Sequence, residues 1–254
     1  MKKVIYILAA LLCIVGVVCG GIGAYKYFQE KNAGNEYEAL KKEVEKQDTS
    51  AETTEDKQSS VEIPIDFAKL QKENSEVYAW IKVDGTSIDY PILQSEEDNA
   101  YYLSHTIEGK ESPEGAIFTE NYNTKTFEDP NTLIYGHDMK NGSMFRTLHN
   151  FMDRDFFDKN RDVTIYMPDK ILHYKVFAAY LTDNSHILLS HDFSNKQVFQ
   201  NYIDNIFAMR SMDAFVDTSM EVTSDDKIIT MSTCYAGQSE RRYLVQAVLV
   251  SIEN

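Results

Sequence analysis

Apolar and polar positions along this chain fall into three regimes, and each regime predicts a different kind of structure. From Val4 to Tyr25 about 20 residues run without a charge, long enough to cross a bilayer as a helix. From Gln29 to Ser60 the chain is dominated by Glu, Lys, Thr, Ser and Gln. Within it, Leu40 and Val44 are spaced four apart and predict a charged surface helix over Glu36 to Gln47, whereas Asp48 to Ser60 offers nothing that could fill a core and reads as a solvated linker. From Val61 onward a period of two takes over. Strands are predicted at Tyr78 to Val83, Ser87 to Gln94, Gly115 to Thr119, Thr132 to Tyr135, Val163 to Met167, His173 to Tyr180, Lys227 to Thr233 and Tyr243 to Ile252. Asp84-Gly85 marks a turn, and Pro91 suits an edge or a bulge better than a central strand position. Helical spacing interrupts the strands at Phe67 and Leu70, where Asp66 can cap, at Met144 to Met152, and at Lys196 to Met209, where Val198, Tyr202, Ile206 and Met209 share a face. Many short strands with a few helices in their connections predict a mostly β fold, a largely antiparallel barrel decorated with helices.

This patterning divides the chain into a cytoplasmic tip and transmembrane anchor (1–28), a polar extracellular tether (29–60) and a folded domain (61–254). A cleaved signal peptide competes with the anchor, but its apolar core would be unusually long and no clear A-x-A site follows. Lys2 and Lys3 point to a cytoplasmic N-terminus, with the remainder outside a cell membrane crossed once. The formal net charge of -15 argues against a nucleic-acid partner, which would need a basic patch. Of three cysteines, Cys13 and Cys19 lie in the apolar run. Cys234 is left alone, so the folded domain can form no internal disulfide and shows no CxxC metal pattern.

Cys234 ends a β-branched run, Ile228 to Thr233, and a short polar loop with Gly237 separates it from Arg241, Arg242 and a second apolar strand. Paired strands would set the thiol beside an arginine, a placement that favours ionisation and nucleophilic attack. The competing reading is a small buried hydrophobe, the usual fate of a free cysteine. His137 follows an apolar strand and Gly136 at the head of a loop rich in turn formers, which fixes its backbone while leaving its ring accessible. It could supply the acid and base steps of acyl transfer. His105, His149, His173, His186 and His191 occupy ordinary loop, helix or strand contexts, and no His-x-x-x-His spacing supports zinc.

At these residues the chain resembles the class B sortases. Thr230-Met-Ser-Thr-Cys234 is similar to the Thr-Leu-x-Thr-Cys signature of sortases, with Met231 in place of leucine, and Leu133 to Phe145 resembles the class B histidine stretch, with Asp138 where asparagine is common. Asn74 to Leu103, including Trp80-Ile81, Ile88-Asp-Tyr-Pro-Ile92 and Tyr101-Tyr-Leu103, reads the same way. The resemblance implies an eight-stranded sortase-type barrel and a membrane-anchored cysteine transpeptidase of a Gram-positive bacterium. Such an enzyme cleaves a C-terminal sorting motif of surface proteins, NPxTN-like or PxTG-like, after Thr through a thioester. It then passes the acyl group to a peptidoglycan amine, and it needs no cofactor and no metal. Carried over by position, Cys234 is the nucleophile, His137 the acid and base, and Arg242 the arginine, with Arg241 its rival. Asn99, Leu103, Leu189 and Ser232 are the expected substrate contacts. A hydrolytic cysteine peptidase and a non-enzymatic membrane-tethered surface module remain the alternative functions.

Overall fold

The β-branched and aromatic runs from Val77 onward form nine strands in the computed structural model, which describes residues 14–21, 23–24, 36–45, 61–235 and 237–254. The strands are β1 (Val77–Val83), β2 (Asp89–Leu93), β3 (Ile117–Thr119), β4 (Asn131–Tyr135), β5 (Asp162–Tyr166), β6 (Ile171–Asp183), β7 (Phe215–Val216), β8 (Ile228–Tyr235) and β9 (Gln238–Glu253). They lie in the order β5-β1-β2-β3-β4-β8-β9-β6-β7, and a further β5–β6 pairing closes eight of them into a barrel, with the two-residue β7 appended to β6. Closure leaves only short stretches of strand unpaired. Two pairings are parallel, β2 with β3 and β4 with β8, and the other pairings of the barrel are antiparallel, as expected of a largely antiparallel barrel. Pro91 sits inside β2, but β3 runs alongside only at Ile92 and Leu93, so β2 has an unpaired side where the missing N–H falls.

The strands divide their side chains between two cores, as alternation requires. Ile229, Met231, Tyr243, Val245 and Ala247 face the barrel interior with Ile81 and Ile134. Ile228, Leu244 and Val248 face outward and are covered by α5 (Lys196–Phe207), whose buried face is Phe199, Tyr202, Ile203 and Ile206. Tyr202 and Ile206 lie on the face expected from the spacing, whereas Val198 and Met209 are only partly buried and Phe199 and Ile203 complete the face. The other short helices are α2 (Phe67–Glu73), capped by the Asp66 carboxylate on the Lys69 N–H at 3.0 Å, α3 (Arg154–Lys159) and α4 (Ile187–Ser190).

Two helical expectations change. Met144 to Met152 is not an α-helix: Met144 takes a positive φ of 57°, its N–H donating to the Tyr90 hydroxyl at 3.1 Å, and Arg146–Met152 follows as a 3-10 turn. The helix expected on the surface of the tether, α1 (36–44 among the described residues), packs on the barrel instead. Tyr37 and Val44 are buried, the Tyr37 hydroxyl donates to the Gly115 carbonyl at 3.0 Å, and Lys41 pairs with Asp89, which also accepts from the Trp80 indole at 2.6 Å. Of the run Val4 to Tyr25, residues 14–21 and 23–24 are helical and the others lie outside the described residues. Among the described residues no helix is long and apolar enough to cross a membrane.

Candidate active site

Because β4 and β8 run in the same direction, they end at the same rim. Their register pairs Asn131 with Ile228 and ends with Tyr135 opposite Ser232. Two residues beyond that last pair stand His137 on one strand end and Cys234 on the other. The Gly136 N–H still donates to the Ser232 carbonyl at 3.2 Å, so β4 stays attached almost to the histidine. Gly136 is required here for space: a Cβ would lie 2.5 Å from Ile117 Cδ1 and 2.6 Å from Phe145 Cγ. Beyond His137 the loop turns back on itself, the Phe145 N–H donating to the His137 carbonyl at 2.9 Å and Asp138 bridging to Met144.

The second strand pair brings the arginine. β8 and β9 are antiparallel, Gly237 turns between them at a φ of 74°, and the ladder sets Cys234 opposite Arg242. Directly opposed residues share a face. An irregularity just beyond this pair displaces the chain before it. Arg241 lies with its guanidinium 5.7 Å from the centre of the Tyr235 ring and 3.9 Å from Asp213.

His137, Cys234 and Arg242 line one hollow of about 140 Å³, together with Leu103, Phe118, Tyr135, Gly136, Ser232 and Thr233. It is continuous with a second hollow of about 190 Å³ that shares Leu103, Phe118, Tyr135, Ser232 and Arg242 and extends past Asn99 and Glu120 to the segment Thr182 to Ile187. The result is a groove with the thiol, half-buried and in no disulfide, at one end. His137 Nε2 lies 2.7 Å from the Leu103 carbonyl. A carbonyl only accepts, so Nε2 carries the proton of this contact and Nδ1 is the ring's other, basic nitrogen. Asn99 accepts from the Asn121 N–H at 2.7 Å and lies on the groove wall. Leu189 does not: it sits on α4, largely exposed, over a separate hollow beside Tyr122 and Asp129, while Ile187 and His186 from the same segment reach the groove.

Sequence reasoning missed a polar cluster on the groove wall. Glu120 follows β3 and accepts from the Tyr135 hydroxyl at 2.9 Å, and its carboxylate lies 2.7 Å from His186 Nε2. Burial, reinforced by the Glu120 charge, pushes the Tyr135 phenol well above its usual range, so it is a neutral donor. The His186 Nδ1 accepts from the Leu189 N–H at 3.3 Å and starts α4, which ties that segment to the groove floor. Nothing local marks Glu120, because its role depends on β3 and β4 lying side by side. Among the described residues no three His, Cys, Asp or Glu side chains converge so as to hold a metal ion.

Comparison with known proteins shows the family. Residues 81–250 match the sortase domain family. Sortase B of Listeria monocytogenes is 34% identical over 194 residues, covering 75% of this chain and 76% of that protein. The crystal structure of sortase B from B. anthracis superposes with a TM-score of 0.69 at 30% identity, covering 89% of this chain and 99% of that one. That of Clostridium perfringens sortase B gives a TM-score of 0.65 at 32% identity, covering 72% and 99%. With a closed eight-stranded barrel and a thiol, an imidazole and a guanidinium in one groove, the chain belongs to the sortase family and within it to class B, a group of cysteine transpeptidases that anchor surface proteins.

Proposed function

We propose that the chain cleaves a C-terminal sorting motif, NPxTN-like or PxTG-like, after its Thr and transfers the new acyl end to a peptidoglycan amine. The observation that carries this reading is the double register that brings His137 to Cys234 through β4–β8 and Arg242 to Cys234 through β8–β9. In the first half-reaction the Cys234 sulfur, as thiolate, attacks the Thr carbonyl carbon. The Arg242 guanidinium donates to the oxygen on which charge develops, and remains charged at any relevant pH. Collapse of the tetrahedral species breaks the C–N bond as His137 gives a proton to the departing amine, leaving a thioester. In the second half an amine attacks the thioester, His137 takes its proton, and the thiolate is released. Asn99, Leu103 and Ser232 line the groove and support binding of the motif there; Leu189 lies one hollow away and would meet only a more distant part of the surface protein.

In this reading the apolar run from Val4 to Tyr25 crosses the cell membrane once, with the N-terminus cytoplasmic and the catalytic domain outside. The linker Asp48 to Ser60 is polar but for Ala51, in keeping with a solvated tether outside the membrane.

The test is to incubate the full-length chain with peptides of both motif types, with and without an added amine, and to follow intact protein and products by mass spectrometry. The expected result is an adduct on Cys234 lacking everything after Thr, converted to an amide when amine is present. Absence of both adduct and cleavage for every motif would refute the proposal.

A further inference from the structure

A second histidine stands behind the nucleophile, outside the groove. His149, on the 3-10 turn Arg146–Met152, places Nε2 3.1 Å from the backbone carbonyl of Cys234. Its ring meets Tyr235 and Tyr243 edge-on, at centroid distances of 5.9 and 5.5 Å. Those tyrosines follow Cys234 and Arg242 in their strands, so pleating sends them to the face opposite the groove. His149 is absent from the groove lining and therefore approaches Cys234 from the rear. On its other side Nδ1 is 3.8 Å from Asp138, the neighbour of His137, and Asp138 is held by Arg146 at 2.7 Å.

We infer that His149 is a positioning residue, which fixes the backbone of Cys234 through an Nε2–H···O=C hydrogen bond. Burial lowers the pKa of the imidazole, so it is neutral near pH 7; the carbonyl it faces can only accept, which puts the single proton on Nε2. Nδ1 is then the lone-pair side, which makes no hydrogen bond to Asp138 at 3.8 Å, that carboxylate accepting from Arg146 instead. The Cys234–Tyr235 peptide is planar, so holding its carbonyl also fixes the turn of the chain just beyond the sulfur. A nucleophile displaced by a fraction of an ångström from an imidazole and a guanidinium loses rate without losing substrate affinity. The inference thus concerns kcat, and it rests on the reading of Cys234 as the nucleophile.

The experiment compares wild type, His149→Leu, His149→Gln and Cys234→Ala as full-length chains, measuring peptide cleavage and the alkylation rate of the thiol. His149→Leu keeps volume and loses the donor; it is expected to lower kcat by about 10- to 100-fold with KM within about twofold, and to change the alkylation rate. His149→Gln keeps an N–H donor and is expected to recover most of kcat. A His149→Leu kcat within about twofold of wild type, or a glutamine variant no better than leucine, overturns the inference. Should His149→Leu fail to fold, imidazole nitrogen NMR of the wild type decides, since a proton on Nδ1 alone excludes the proposed bond and a proton on Nε2 supports it. Cleavage surviving Cys234→Ala would instead overturn the reading beneath it.

Discussion

Cys234 and Arg242 are direct partners across the β8–β9 ladder, whereas Arg241 is turned toward Tyr235 and Asp213. The two adjacent arginines are thus chemically alike and geometrically opposite. Arg242→Ala should lower kcat/KM by about 10²-fold or more, the scale of losing one donor to a developing oxyanion. Arg241→Ala should cost little, and Arg242→Lys should restore only part of the rate because the planar fork is lost. Kinetics of the three variants on one fluorogenic peptide check this; a large loss confined to Arg241→Ala would shift the assignment by one residue.

Cys234→Ala should abolish cleavage and His137→Ala should reduce it by orders of magnitude, with melting temperatures near wild type, since neither side chain belongs to a hydrophobic core. Activity measured beside a thermal melt for each variant separates loss of chemistry from loss of fold.

Gly136→Ala should impair both. The added methyl would meet the Phe145 ring and Ile117, and relieving the overlap moves the strand end that presents His137. A destabilisation of about 1–3 kcal/mol is expected, and denaturant titration would measure it.

The patterns that were easiest to read were those a strand or helix imposes on its own residues. The runs at Asn131–Tyr135, Ile228–Tyr235 and Gln238–Glu253 and the helix Lys196–Phe207 were legible because their burial repeats locally. The placement of His137 and Cys234 at strand ends was legible for the same reason. What depended on distant neighbours was not. The parallel seams follow from chain topology, the 3-10 turn at Arg146–Met152 follows from a left-handed Met144 that the sequence does not announce, and Glu120 and His149 acquire partners 15 to 85 residues away. Tyr37 and Val44 looked like parts of a charged surface helix because what they meet is distant in sequence, the Tyr37 ring lying edge-on to Tyr90 of β2 and the Val44 carbonyl accepting from the Asp66 N–H.

That burial gives a prediction about where the domain begins. A chain started at residue 61 loses two buried side chains and the Tyr37–Gly115 hydrogen bond, and should be less stable than one started at residue 36 by roughly 3 kcal/mol or more. Equal melting temperatures for the two would show that α1 contributes nothing to the fold.

Asp217 sets a sensitivity to acid. Burial alone would push its carboxyl up, but hydrogen bonds from Ser219 and Arg161 outweigh burial and hold it at about 2. A depressed value stabilises the fold above the unfolded carboxylate pKa of about 4, and the contribution is lost as pH falls toward 2. Melting temperature should therefore fall between about pH 4 and pH 2, and Asp217→Asn should fall less steeply over that interval.

The parallel β4–β8 seam makes the barrel a ruler. The proposed acid-base group, His137, and the proposed nucleophile, Cys234, are separated by 97 residues of sequence, yet their spacing is set by counting equal steps along two strands from one shared pair, Tyr135 and Ser232. Lengthening a connection elsewhere leaves that count intact. Inserting a single residue between Asn131 and His137, or between Ile228 and Cys234, would advance one mark on the ruler without the other and turn every later side chain of that strand to the wrong face. Variation in this enzyme can therefore accumulate in its loops, while the lengths of two short strands are held fixed by the reaction they align.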